Sequence, residues 1–185
     1  SEDEEIADTS LRTKPVRKPI WLPTAMEESL ADNQKRNAEI IESIRNLDPN
    51  WPVIVFALSV SHAQLLAALL VKNGVKSAAV SGETSPSLRK LHISDFRSGK
   101  IQVLTNYGVL TTGFDAPKVR AIYITRPTFS KNLYLQMIGR GLRGPLNGGT
   151  QDCLIVDIAD NFESMNINHI YEEMGAWWSA GDTSE

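Results

Sequence analysis

Two arginines, Arg140 and Arg143, lie three residues apart in the stretch QMIGRGLRG, with glycines at 139, 141 and 144 around them. Guanidiniums at this spacing can close on a single anion, and their planar, permanently charged forks suit a phosphoryl group in transfer. Ser130 can open a helix whose apolar side carries Leu133, Met137 and Ile138; Gln136, Arg140 and Arg143 then fall at i, i+4 and i+7 along one side. The glycines leave space for a phosphate or another backbone. On the residues alone a second reading stays open, in which the arginines answer the negative end of a helix dipole.

A second constellation lies upstream in VLTNYGVLTTGFDAP, which puts Gly113 and Asp115 just beyond an apolar strand. The two together point to a nucleotide-driven motor. No GxxxxGK[ST] phosphate loop occurs in the sequence, so it reads as half of an ATPase. The opening Asp3-Glu4-Glu5-Ile6 resembles an acidic magnesium-holding motif, but no apolar strand precedes it and it reads as a solvated tail. His62, His92, His169 and Cys153 form no metal-ligand spacing, and no metal site of the chain's own is expected.

Composition narrows the partners. With 185 residues, 42% of them hydrophobic, the chain can bury one sizeable core. A formal charge of -3 argues against holding nucleic acid by bulk electrostatics, so such contacts should be local. The single Cys153 cannot make an internal disulfide and fits a reducing compartment. No signal peptide or membrane span is read in the sequence, and a cytoplasmic location without membrane contact is expected.

The elements that must position these residues follow from periodicity. Residues 1–20 read as a flexible tail, and residues 21–50 as a linker and an amphipathic helix presenting Ile40, Ile41, Ile44 and Leu47. Val53 to Leu58 reads as a strand buried on both faces. Ser61 is expected to cap the next helix, carrying Leu65, Leu66, Leu69 and Leu70, and Asn73-Gly74 to stop it. A strand from Ser77 to Val80 leads to Ser85-Pro86, an N-cap with proline in the first turn, and a helix toward Gly99. Ile101 to Leu104, Val119 to Thr125 and Cys153 to Ile158 have strand length. Strands alternating with helices predict an α/β fold with a doubly wound parallel sheet, whose ligands gather beyond the strands' carboxyl ends. Residues 162–185 read as a C-terminal helix and tail, with Ile167, Ile170 and Met174 leading to Trp177-Trp178 as a docking surface or a buried cap.

With the strand, motif and arginine segments in this order, residues 51–161 closely resemble the C-terminal RecA-like domain of superfamily 2 DEAD/DEAH-type helicases. VIVFALSV is similar to motif IV, VSGET to the adjoining nucleic-acid loop, VLTNYGVLTTGFDAP to motif V and QMIGRGLRG to motif VI. RPTFSKNLYLQMIGRGLRG is similar to the bacterial restriction-subunit-like branch. The resemblance implies that Arg143 is the arginine finger meeting the γ-phosphate, with Arg140 its companion. It implies that Gly113, Asp115 and Gln136 lie at the nucleotide, and that Ser59, Ser81, Gly82, Thr84 and Thr105 touch the sugar-phosphate backbone. ATP and Mg²⁺ would then be held mainly by an N-terminal RecA-like domain, the expected partner besides nucleic acid. Asn106, Thr112 and Gln136 depart from the RNA-directed DEAD-box pattern and favour DNA. Two duller readings stand beside these: the Ser and Thr residues are ordinary turn and capping residues, and the chain is a binding module that keeps the fold without the chemistry. Arg89 is expected to be a solvated helix residue.

Overall fold

The computed structural model describes residues 33–110, 118–126, 136 and 152–158. The described elements run α1 (Gln34–Arg45), β1 (Val53–Phe56), α2 (Val60–Lys72), β2 (Ser77–Ser81), α3 (Pro86–Arg97), β3 (Val103–Tyr107), β4 (Ala121–Ile124) and β5 (Leu154–Asp157). The five strands form one sheet in the order β2-β3-β1-β4-β5, and every pairing is parallel.

The apolar runs explain why β1, β3 and β4 lie at the centre. All four residues of β1 and of β4 are buried, which a strand achieves only when both faces and both edges are covered. Alternation then divides the core. Val53 and Val55 pack with Val103, Ala121 and Tyr123 against Ile40, Ile41 and Ile44 of α1 and Leu66 and Leu70 of α2. Ile54 and Phe56 pack on the opposite side with Leu104, Ile122, Ile124 and Phe96 of α3. Helices thus cover both faces, giving three layers.

Helix ends follow local chemistry. Asn33 caps α1 by accepting from the Arg36 amide, and Ser85 caps α3 by accepting from Leu88, with Pro86 in the first turn. After α2 the chain turns through Gly74 at φ 81, a conformation that disfavours a Cβ. The expected cap of α2 is corrected by one turn-start: Ser59, extended at φ -157, holds that position, and its hydroxyl accepts from the His62 amide. Ser61 lies inside the first turn instead, where its hydroxyl meets that of Ser59 at 3.0 Å.

The chain passes from β3 to β4 across β1, so β1 has neighbours reached in opposite directions. In open α/β sheets, ligands gather at such a reversal, beyond the carboxyl ends of the strands. Among the described residues no helix is long and apolar enough to cross a membrane.

Candidate nucleotide and nucleic-acid interface

Three loops leave the carboxyl ends of β1, β2 and β3, and each is braced by one buried or half-buried polar side chain. After β1, the Leu58 amide donates to Nδ1 of His62 at 3.1 Å, while the His62 amide donates to Ser59 Oγ at 3.1 Å. His62 stands three residues after the cap, as in a capping box, but its ring reaches one residue further back, to the amide before the cap. Because Nδ1 accepts, the ring proton sits on Nε2, which donates to Asn37 Oδ1 at 3.0 Å. Burial, and secondarily the Arg36 charge, lower the His62 pKa to about 4, so the imidazole is neutral at physiological pH.

The loop after β2 folds on itself. The Ser81 amide donates to Thr84 Oγ1 at 2.9 Å, and the Glu83 amide donates to Ser81 Oγ at 3.1 Å. Arg89, from the first turns of α3, reaches back and donates to the carbonyls of Ser81 at 2.9 Å and Thr84 at 3.3 Å. The expectation of a solvated Arg89 is therefore corrected: charge-assisted bonds to loop carbonyls hold it half-buried. Gly82 stands exposed at the tip, and a Cβ built on it would meet nothing within 4 Å.

After β3, Asn106 is fully buried and works in two directions. Its Nδ2 donates to the Val55 carbonyl at 3.0 Å, and its Oδ1 accepts from the Leu110 amide at 3.4 Å. Between them the chain turns through Gly108 at φ 73. The end of β4 is held in the same way, with Thr125 Oγ1 donating to the Phe56 carbonyl at 2.8 Å and the Arg36 guanidinium donating to the Thr125 carbonyl. The next residue, Arg126, carries its guanidinium over the Tyr107 ring at 5.3 Å, across the end of β1. These loops and side chains share one edge of the sheet. The arrangement can fix backbone groups in place along that edge.

The chain matches the helicase conserved C-terminal domain over residues 35–144, more than half its length. It belongs to that family. The putative mitochondrial ATP-dependent helicase irc3 of Schizosaccharomyces pombe is 43% identical over 115 residues, which are 62% of this chain and 19% of that protein. The putative ATP-dependent helicase IRC3 of Saccharomyces cerevisiae is 38% identical over 104 residues, 56% of this chain and 15% of that protein. The chain thus spans a fifth or less of these relatives. A fragment of a putative HsdR subunit of a type I restriction enzyme from Vibrio vulnificus superposes with a TM-score of 0.63 at 23% identity, covering 77% of this chain and 30% of that one. A DEAD box protein from Methanococcus jannaschii superposes with a TM-score of 0.60 at 21% identity, covering 76% of this chain and 37% of that one. The structural likenesses establish the RecA-like fold, and the family match makes it that of a helicase C-terminal domain.

Within this helicase C-terminal domain, the structure distributes the expected site residues unevenly. Ser59, Ser81, Gly82 and Thr84 do gather at the carboxyl edge. The hydroxyl oxygens of the three side chains accept backbone bonds in caps and turns; Ser81 is buried, Ser59 and Thr84 are half-buried, and Gly82 is the exposed member of the group. Thr105 is corrected more strongly. It is fully buried in β3, and its hydroxyl donates to the Ala63 carbonyl at 2.7 Å, tying the sheet to α2 and leaving no exposed surface for a strand. Gln136 is helical and exposed. Gly113, Asp115, Arg140 and Arg143 lie outside the described residues. Among the described residues, no three His, Cys, Asp or Glu side chains come together as a metal site.

His62, Arg89 and the bracing function of Asn106 were not legible as site features in the sequence. A signal existed for His62, since Ser59-x-x-His62 has the capping-box spacing with an unusual last residue. Asn106 stood out only as a departure from a related pattern. Arg89 gave none, because a cation on the first turns of a helix is ordinarily solvated.

Proposed function

We propose that this chain is the second motor lobe of an ATP-dependent helicase or translocase that acts on DNA. In this reading an N-terminal RecA-like lobe holds ATP and Mg²⁺, and the present lobe brings Arg143 as arginine finger, with Arg140 beside it, when the two close. Gly113, Asp115 and Gln136 then border the ribose and phosphates. The ATP supplies the free energy of the cycle; this chain's residues supply orientation and positive charge at the transferring phosphoryl group. A finger carried on a moving lobe makes hydrolysis depend on closure, which couples chemistry to movement.

The observation that carries the strand-binding half is Gly82. Neither its φ nor the space around it requires glycine inside this chain, yet the residue stands exposed at the tip of a loop braced by Arg89. A bare amide in a fixed position suits a sugar-phosphate backbone, which a protein positions without reading bases. Ser59, Ser81 and Thr84 shape that edge. Thr105 acts beneath it as a tie. A reducing, cytoplasmic setting fits the lone Cys153, whose thiol burial pushes up to about 12.

The test joins this chain to its upstream lobe and measures ATP hydrolysis with single-stranded DNA, duplex DNA and RNA. Stimulation by DNA above RNA is expected, and Arg143→Ala should lower turnover by about 10³. Stimulation by RNA alone would overturn the DNA assignment, and near-normal turnover in Arg143→Ala would demote that residue to a dipole partner.

A further inference from the structure

The first turn of α1 is joined by side chains to the carboxyl ends of two central strands, and the proposed motor does not by itself call for this. Asn37 is buried on α1 and His62 is buried on α2, at 3% and 1% exposure, so both are polar groups removed from water at a cost that only paired bonds offset. They form a continuous relay from Asn37 Oδ1 to His62 Nε2–H, then from His62 Nδ1 to the Leu58 amide in the loop after β1. One residue earlier on α1, Arg36 donates to the Thr125 carbonyl at the end of β4. Thr125 in turn is bonded through both its amide and its hydroxyl to the Phe56 carbonyl at the end of β1. Two routes from one helical turn therefore converge on the segment Phe56–Ser59.

In the proposed two-lobe motor, which this inference presupposes, the first lobe precedes α1 in sequence, and α1 is the first described element on the chain that comes from it. We propose that His62 is a positioning residue: through Asn37 it fixes the strand-facing loop after β1 to the first turn of α1, so that the two move as one piece when the lobes close. The chemistry of the ring is what makes it suitable. An imidazole of fixed tautomer accepts at one nitrogen and donates at the other, rigidly, across about the width of a ring. A carboxamide in its place reproduces one end only. His62→Asn can present an acceptor where Nδ1 was but is too short to meet Asn37, and His62→Gln can present a donor where Nε2–H was but gives up the loop amide.

This asymmetry supplies the test, made in the two-lobe protein by titrating ATP hydrolysis with single-stranded DNA. If the relay is what matters, both substitutions raise the strand concentration for half-maximal stimulation by about tenfold, while turnover at saturating strand changes less than about twofold. Asn37→Ala, at the far end of the relay from the loop, should reproduce the same shift, and adding it to His62→Asn should make the shift no larger. Thermal midpoints of all variants accompany the titrations, and Asn37→Ala decides the matter should the His62 variants not fold. A silent His62→Asn beside a weakened His62→Gln would reduce His62 to a local cap, and a silent Asn37→Ala would cut α1 out of the device; either overturns the coupling. If the unsubstituted protein shows no strand-stimulated hydrolysis, the motor reading and this inference fall together. If it is stimulated and all variants match it, the inference alone falls.

Discussion

His62 shows how a single side chain acquires a pH dependence from where it is placed. Its folded-state pKa of about 4 lies below the 6.5 of an unperturbed histidine, so on acidification the unfolded chain takes up the proton first. Stability from this residue is complete above the unfolded value and declines as pH falls toward the folded one, levelling below it. Between about pH 7 and about pH 5 the loss should be about 2 kcal/mol, read as a fall in the urea midpoint that His62→Gln flattens. Gly82 makes the opposite case, a residue on which the fold does not depend. Gly82→Ala should leave the unfolding midpoint within about 0.5 kcal/mol of the parent while weakening strand binding, measured by fluorescence anisotropy of a labelled oligonucleotide. A stability loss with intact binding would remove Gly82 from the interface. Cys153 should resist alkylation at neutral pH until the chain unfolds, because its half-buried thiol is pushed up to about 12 and the thiolate is the reactive form.

At the scale of elements, the loops after β1 and β2 are held from behind by the helices that follow them. Arg89 does this for the loop after β2, through two carbonyls, and a methionine there would keep the aliphatic packing while removing the donors. Arg89→Met should cost about 1–2 kcal/mol and speed amide exchange at Gly82 and Glu83 more than in β2 itself. Uniform exchange across both would mean that the loop is held by its own Ser81 and Thr84 bonds. The start of α2 depends on Ser59, whose hydroxyl caps the helix, and Ser59→Ala should cost about 1 kcal/mol in the unfolding midpoint. Because the same residue opens the loop after β1, its oxygen can accept in the cap while its hydroxyl hydrogen is offered to a strand phosphate. A strand-affinity loss beyond that of Arg89→Met would favour the contact.

For the whole molecule, the expectation is a competent lobe that is inactive alone: the purified chain should show no ATP hydrolysis above background with or without DNA, and a strand-stimulated rate would refute it. The fold behind that expectation was largely written in the sequence. Continuous apolar runs such as Val53–Phe56 identify strands buried on both faces, Ser85-Pro86 marks a helix start, and Asn73-Gly74 marks a stop, because each depends on short-range sterics and hydrogen bonding. The order of the motif segments likewise identifies the family. What the sequence left undecided was which polar groups face outward. Thr105 and Ser81 look like available hydroxyls in a linear reading, and tertiary packing turns them toward carbonyls and amides inside the chain. Arg89 looks solvated and becomes a brace, and His62 looks unconnected until Asn37, distant in sequence, meets it. The physical reason is common to all four. A hydrogen-bond donor or acceptor carries no record of its partner in the local sequence, whereas burial of the surrounding backbone obliges it to find one, and only the folded chain determines which groups come within reach.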